Sequence, residues 1–414
     1  MRFNTLLLHG AARGIEPTGA TLPAIHQVSA FAHESAEKLE RVFANKSPGF
    51  AYTRISNPTV AAFERRVAEL EGGAAAVACA SGMAAISMAL LNLLESGDEV
   101  ISGSALFGGT LDLLADLERF GIHTRFVGGV TAAEVEPLIN ERTKVIFAEL
   151  IGNPKLDVVD IRAVADVAAR HGVPLIIDST TATPALVRPL DFGASVVVHS
   201  SSKYINGSGD AISGVITDGG RFDWDFAKFP ALAPYRAMGK LAFTARLRQD
   251  VWRNFGACLA PQNAYLNCLG LETLGLRMER LCANALTLAR ALAANPDVAA
   301  VNYPGLGGNP YKPLIDAQMN GGMGGALLSL RTGSKAQAFA LMNNLKYAHI
   351  ATNIGDVRTL VIHPASTIYA HSTDGQMRDA GVFDDLIRVS VGLEDARDLV
   401  ADFTHAISKM KEGI

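Results

Sequence analysis

Three short apolar runs constrain this chain more than anything else in it: 145–148, 173–177 and 196–198. Each has the length of a buried strand and is too short for a buried helix. After the first, Asp160 is placed to cap a helix whose apolar face is Ile161, Val164, Ala165 and Ala168, and Gly172 stands where such a helix stops. Pro174 is tolerable near the start of the second run. Strands alternating with helices call for a mostly parallel sheet covered on both faces, the α/β class. In such sheets functional side chains gather just past the carboxyl ends of the strands. Those strand ends are where chemistry is to be sought.

A fourth segment, 72–94, carries no charge and is long enough to span a bilayer. Its first half, however, is small residues, and Ser81-Gly82 interrupts it. A buried strand, a tight turn and a buried helix are predicted instead. The opening MRFNTLLLHGAARG has no cleavage-site pattern, so no signal peptide and no membrane association are expected. At 414 residues the chain has room for two or three domains. The expected division is an extended N-terminal arm over 1–50 that needs something else to pack on, a large domain over 51–255 and a smaller C-terminal α/β domain over 256–414. Gly, Pro and scattered aromatics predict a long loop over 218–240, and a long helix is expected over 271–294, with Pro296 marking its end.

A net charge of −4 leaves no basic footprint for nucleic acid. The four cysteines show neither a CxxC pair nor zinc spacing, which fits reduced thiols and a cytoplasmic location. No metal cluster is expected among the histidines.

Three strand ends carry groups that could act together. Ser81-Gly82-Met83 precedes an apolar helix, whose free N–H groups and dipole suit a phosphate. Asp178 follows four apolar residues and must be paired there; alone it could be a turn former. Lys203, after Ser200 and Ser202, stands past a strand end where partial desolvation frees an amine. Alone it could be a surface lysine. Together, an anion cradle, a carboxylate and an amine match the phosphate, pyridine nitrogen and aldehyde of pyridoxal 5′-phosphate (PLP). A nicotinamide or nucleotide site would need a GxGxxG or a P-loop, and neither is present.

These residues stand in motifs that resemble one family. Tyr52-Thr-Arg54-Ile-Ser-Asn57-Pro58-Thr59, Ala80-Ser81-Gly82-Met83-Ala84, Gly152-Asn153-Pro154, Ile177-Asp178, Ser200-Ser-Ser202-Lys203 and the stretch from Arg388 to Asp395 are similar to the Cys/Met-metabolism family of PLP enzymes. The resemblance implies an aspartate-aminotransferase-like fold (fold type I), with a mostly parallel seven-stranded sheet. It implies Lys203 as the Schiff-base lysine and general base, Asp178 as the partner of the pyridine nitrogen, and Ser81, Gly82, Met83, Ser200 and Ser202 around the phosphate. Arg388, Asn153 and Asn353 would surround the substrate carboxylate. Tyr52 and Arg54 would reach the cofactor of a neighbouring subunit, which implies a dimer sharing its sites, usually within a tetramer.

Two further stretches, 256–273 and 352–367, are similar to the O-acetylhomoserine sulfhydrylase branch. That branch implies an amino-acid substrate, O-acetyl-L-homoserine, and sulfide or methanethiol, giving homocysteine or methionine. Elimination by a methionine or cystathionine γ-lyase is the alternative on the same scaffold, and a silent α/β binding module the distant one. The ring-stacking position, usually Tyr, is Phe107, so stacking is kept while the phenol is lost. Gly109 stands where methionine γ-lyases carry a cysteine.

Overall fold

The computed structural model describes residues 1–10 and 19–412. Seven strands form the first sheet: β1 (Ala75–Cys79), β2 (Glu99–Gly103), β3 (His123–Val127), β4 (Thr143–Glu149), β5 (Leu175–Asp178), β6 (Val196–His199) and β7 (Gly214–Asp218), in the order β1-β7-β6-β5-β4-β2-β3. Only β7 runs against the others. The period-2 alternation of strand side chains divides each strand between two cores. Ala76, Ala78, Ile146, Ala148, Leu175 and Ile177 face one core. Val77, Cys79, Val145, Phe147 and Ile176 face the other.

The helices begin with α1 (Phe3–His9), α2 (Ala36–Phe43), α3 (Pro58–Glu71), α4 (Gly82–Leu91) and α5 (Gly108–Leu117). Then come α6 (Ile161–Arg170), α7 (Pro261–Glu272), α8 (Leu274–Ala293), α9 (Lys335–Asn344) and α10 (Ala396–Glu412). Asp160 caps α6 by accepting from the Ala163 N–H at 3.0 Å, and Gly172 just beyond the helix has φ +57°. No helix among the described residues is long and apolar enough to cross a membrane.

A second sheet, β8 (Ala300–Asn302), β9 (Leu327–Arg331), β10 (His349–Ile350), β11 (Leu360–Ile362) and β12 (Leu386–Ser390), has the order β10-β11-β12-β9-β8. Its core is closed by α9, α10 and the second half of α8, through Ala285, Leu288, Ala289 and Leu292. The first half of α8 and all of α7 belong elsewhere: Ala264, Cys268, Leu271, Leu274, Met278 and Leu281 pack into the core of the seven-stranded sheet. On this packing we propose that the second domain begins within α8, since 256–281 is held by the first sheet.

Two segments differ from the expectation. The N-terminal residues are not wholly an extended arm: α1 packs on its own chain through the buried Leu7. Residues 11–18 of the expected arm lie outside the described residues. From 19 to 50 the chain does run over the surface, and α2 buries none of its side chains. The stretch 218–240 is not a simple loop, because tight helical turns run from Pro230 to Leu241, broken by Gly239 at φ +56°. Proline rules out a continuous α-helix but permits i→i+3 turns. The aromatics there are anchors, with Trp224 edge-on to Phe229 and stacked on Phe243.

Candidate active site

The carboxyl ends of β4, β5 and β6, the start of α4 and the middle of β12 meet around one cavity of about 230 Å³. Met83, Phe107, Asn153, Asp178, Lys203 and Arg388 all line it.

At the start of α4 the Ser81 hydroxyl caps the helix, accepting from the Ala84 N–H at 3.0 Å. The Gly82 and Met83 N–H groups have no partner among the described residues and carry the positive end of the helix dipole. Ser200 faces them so closely that a Cβ on Gly82 would lie 2.5 Å from the Ser200 Cβ. Only glycine allows so close an approach. The Ser202 hydroxyl is directed elsewhere: it donates to the Ser213 carbonyl at 2.9 Å and accepts from the Ser213 N–H at 2.8 Å.

Asp178 closes β5. Its Oδ1 accepts from both the N–H (2.9 Å) and the hydroxyl (2.5 Å) of Thr180, while Oδ2 has no partner among the described residues. Burial raises this carboxyl above its ordinary range; the Thr180 bonds and the nearby His199 oppose that shift. His199 is itself buried, with Nε2 2.6 Å from Glu71 Oε1.

Lys203 follows β6 by four residues, and its Nζ donates to Asn353 Oδ1 at 2.5 Å. Burial, with the Arg388 charge second, holds its ammonium below the usual lysine range. Arg388, 2% exposed in β12, donates to Asn153 Oδ1 at 3.2 Å and to the Asn353 carbonyl at 3.0 Å. Its Nε is buried without a partner, an orphan donor in want of an acceptor. Burial pushes the guanidinium down to about 10, so it stays cationic near neutrality.

Phe107 caps the start of α5, and its ring is more than a third exposed, towards the cavity. Tyr369 is not free to replace the missing phenol, since its hydroxyl donates to the Leu106 carbonyl at 2.6 Å.

Tyr52 and Arg54 are not brought into this cavity. The Arg54 guanidinium stacks 5.5 Å from the Tyr52 ring and donates to the Arg253 carbonyl at 2.8 Å. Both line a separate, shallower depression with Gln27, Val28 and Pro261. Among the cavity residues that escaped the sequence reading are Glu149 and Thr180. Glu149 ends an apolar run just as Asp178 does, so the same strand-end rule points to it.

A sequence model of the family described as Cys/Met metabolism PLP-dependent enzymes matches residues 4–408. The chain belongs to this family. It is 40% identical to the homocysteine synthase of Schizosaccharomyces pombe over 98% of each chain. With O-acetyl-L-homoserine sulfhydrylase 1 of Thermus thermophilus it is 40% identical over 99% of this chain and all of the other. The fold matches the crystal structure of an O-acetylhomoserine (thiol)-lyase from Campylobacter jejuni, which holds a pyridoxyl-lysine-5′-monophosphate. That match has a TM-score of 0.94, 34% identity and coverage of 99% and 100% of the two chains.

A member of this family is a PLP-dependent fold type I enzyme, and the cavity fits that cofactor. The helix start at Gly82, with its two unpartnered N–H groups and the Ser200 side chain close against it, suits a phosphate. The open Asp178 Oδ2 suits a protonated ring nitrogen. The Lys203 amine, held low, suits an aldehyde.

Proposed function

We propose that the enzyme carries out γ-replacement on an O-acylated L-homoserine, with O-acetyl-L-homoserine and sulfide giving homocysteine and acetate, and methanethiol giving methionine. The observation that carries the reading is the polar circuit from Lys203 through Asn353 to Arg388 and Asn153, of which Lys203, Arg388 and Asn153 line one cavity with Asp178.

Bound PLP supplies an electron sink for the substrate carbons. The protein does the rest. The Gly82 and Met83 N–H groups and the Ser200 hydroxyl would hold the phosphate, Asp178 Oδ2 would pair with the ring nitrogen, and the Phe107 ring would stack on the cofactor. Arg388, which lines the cavity, takes the substrate carboxylate with its guanidinium. Lys203 Nζ, neutral at a lower pH than an ordinary lysine, removes the proton from the substrate α-carbon and then one from the β-carbon. Acetate leaves from the γ-carbon, and the sulfur nucleophile bonds to that carbon in its place. Both protons then return.

Steady-state assays with O-acetyl- and O-succinylhomoserine, each against sulfide and methanethiol, test this. Acetate and homocysteine are expected in equal amounts. A 2-oxo acid and ammonia as the main products would make the enzyme a γ-lyase instead.

The active form we infer is a homo-oligomer, at least a dimer and by family a tetramer, working in the cytoplasm. Tyr52 and Arg54 serve the partner's cofactor phosphate, and their distance from their own chain's cavity supports this reading. A charged hydrogen bond to phosphate contributes about 1.5–3 kcal/mol, so Arg54→Ala should weaken cofactor binding by about one to two decades. At a PLP concentration too low to load Arg54→Ala, mixing Arg54→Ala and Lys203→Ala subunits is then expected to restore part of the activity, because each hybrid dimer holds one intact site. No recovery at any mixing ratio would show that each subunit builds its own site.

A further inference from the structure

Glu149 closes β4 in register with Asp178 across the sheet. Its two oxygens are divided between two loops. Oε1 accepts from the Phe107 N–H at 2.7 Å, and Oε2 accepts from the Asn153 N–H at 3.3 Å. Neither N–H has another acceptor among the described residues. Beyond Asn153 the circuit runs on to Arg388, Asn353 and Lys203. One carboxyl group thus stands between the aromatic ring over the cavity and the clamp at its other side.

The charge balance argues that this arrangement is more than packing. Burial, then the facing Asp178, push the Glu149 carboxyl well above its ordinary range, while the two N–H bonds oppose that rise. A glutamine of equal volume would escape the like-charge repulsion. It would also lose one of the two bonds, because its amide offers a single oxygen and sets N–H against N–H at the other. A carboxyl is the group of this size that accepts from both loops at once.

We propose that Glu149 is a positioning residue for the reaction: its side chain fixes the separation between the Phe107 ring and the Asn153–Arg388 pair, and so holds a carboxylate-bearing substrate in line with the cofactor. This rests on the assignment of Arg388 and Asn153 to the substrate carboxylate.

The test uses PLP-loaded enzyme and follows the visible cofactor spectrum as two unreactive amines are added. L-Norleucine carries a carboxylate and no leaving group; n-pentylamine is the same molecule without the carboxylate. Glu149→Gln is expected to weaken norleucine binding about tenfold, the scale of one charge-assisted hydrogen bond, and to leave pentylamine within about twofold. Glu149→Asp, which keeps the charge and shortens the reach, is expected to show the same selective loss. The KM for the amino-acid substrate should rise in both variants by more than kcat falls. Equal weakening of both amines, or a Glu149→Asp variant matching wild type, would overturn the positioning role. A wild-type enzyme that does not prefer norleucine to pentylamine would instead overturn the carboxylate-site assignment beneath it.

Discussion

Replacing Lys203 by alanine is expected to lower turnover by about four orders of magnitude, the upper range for loss of a positioned general base, and to end covalent retention of the cofactor. Wild-type enzyme treated with borohydride should keep PLP through denaturation, and Lys203→Ala should keep none. The prediction rests on position. Lys203 is the one lysine lining the cavity among the described residues. Burial and the Arg388 charge both disfavour its ammonium, so the neutral amine is available at a lower pH than for an exposed lysine. Asn353 Oδ1 holds Nζ from the small-domain side. The groups proposed to hold the phosphate, at Gly82, Met83 and Ser200, are untouched by the substitution, so PLP should still bind reversibly. Covalent label on another lysine of the wild-type chain would refute the assignment.

How much of this was legible in the sequence depends on whether a residue's role is set by its neighbours along the chain or across space. Asp178 is the last residue of one apolar strand and Lys203 stands four residues past another, and functional residues gather at such strand ends, so local pattern singled them out. The close approach at Gly82 could be suspected from a strand-to-helix turn of small residues, but its partner, Ser200, lies far away in sequence. Ser202 shows the limit of this reasoning. It sits in the same short segment as Ser200, yet its hydroxyl is taken up by the backbone of Ser213. Glu149 obeys the strand-end rule and was passed over, because its meaning lies in the Phe107 N–H, 42 residues away. In the fold, the alternation of strands and helices was read directly. The return of α7 and the first half of α8 onto the first sheet was not, since an apolar helix face does not say which core it will fill. The same holds for α1, whose Leu7 finds its cover on helices far along the chain.

Asp178→Asn should keep the fold and lose about a hundredfold or more in kcat/KM, the scale of removing a preorganised charge from the reacting system. Asparagine has nearly the shape of aspartate, and its carbonyl oxygen can still accept from the N–H and hydroxyl of Thr180, where Oδ1 now lies. What changes is the atom that faces the cavity. Oδ2, an anionic acceptor, becomes an amide N–H, which cannot hold a proton on the ring nitrogen opposite it. The melting temperature and cofactor content should therefore stay near those of wild type while turnover collapses. Unchanged turnover in the variant would reduce Asp178 to a turn residue held by Thr180, and the pairing with the ring nitrogen would have to be given up.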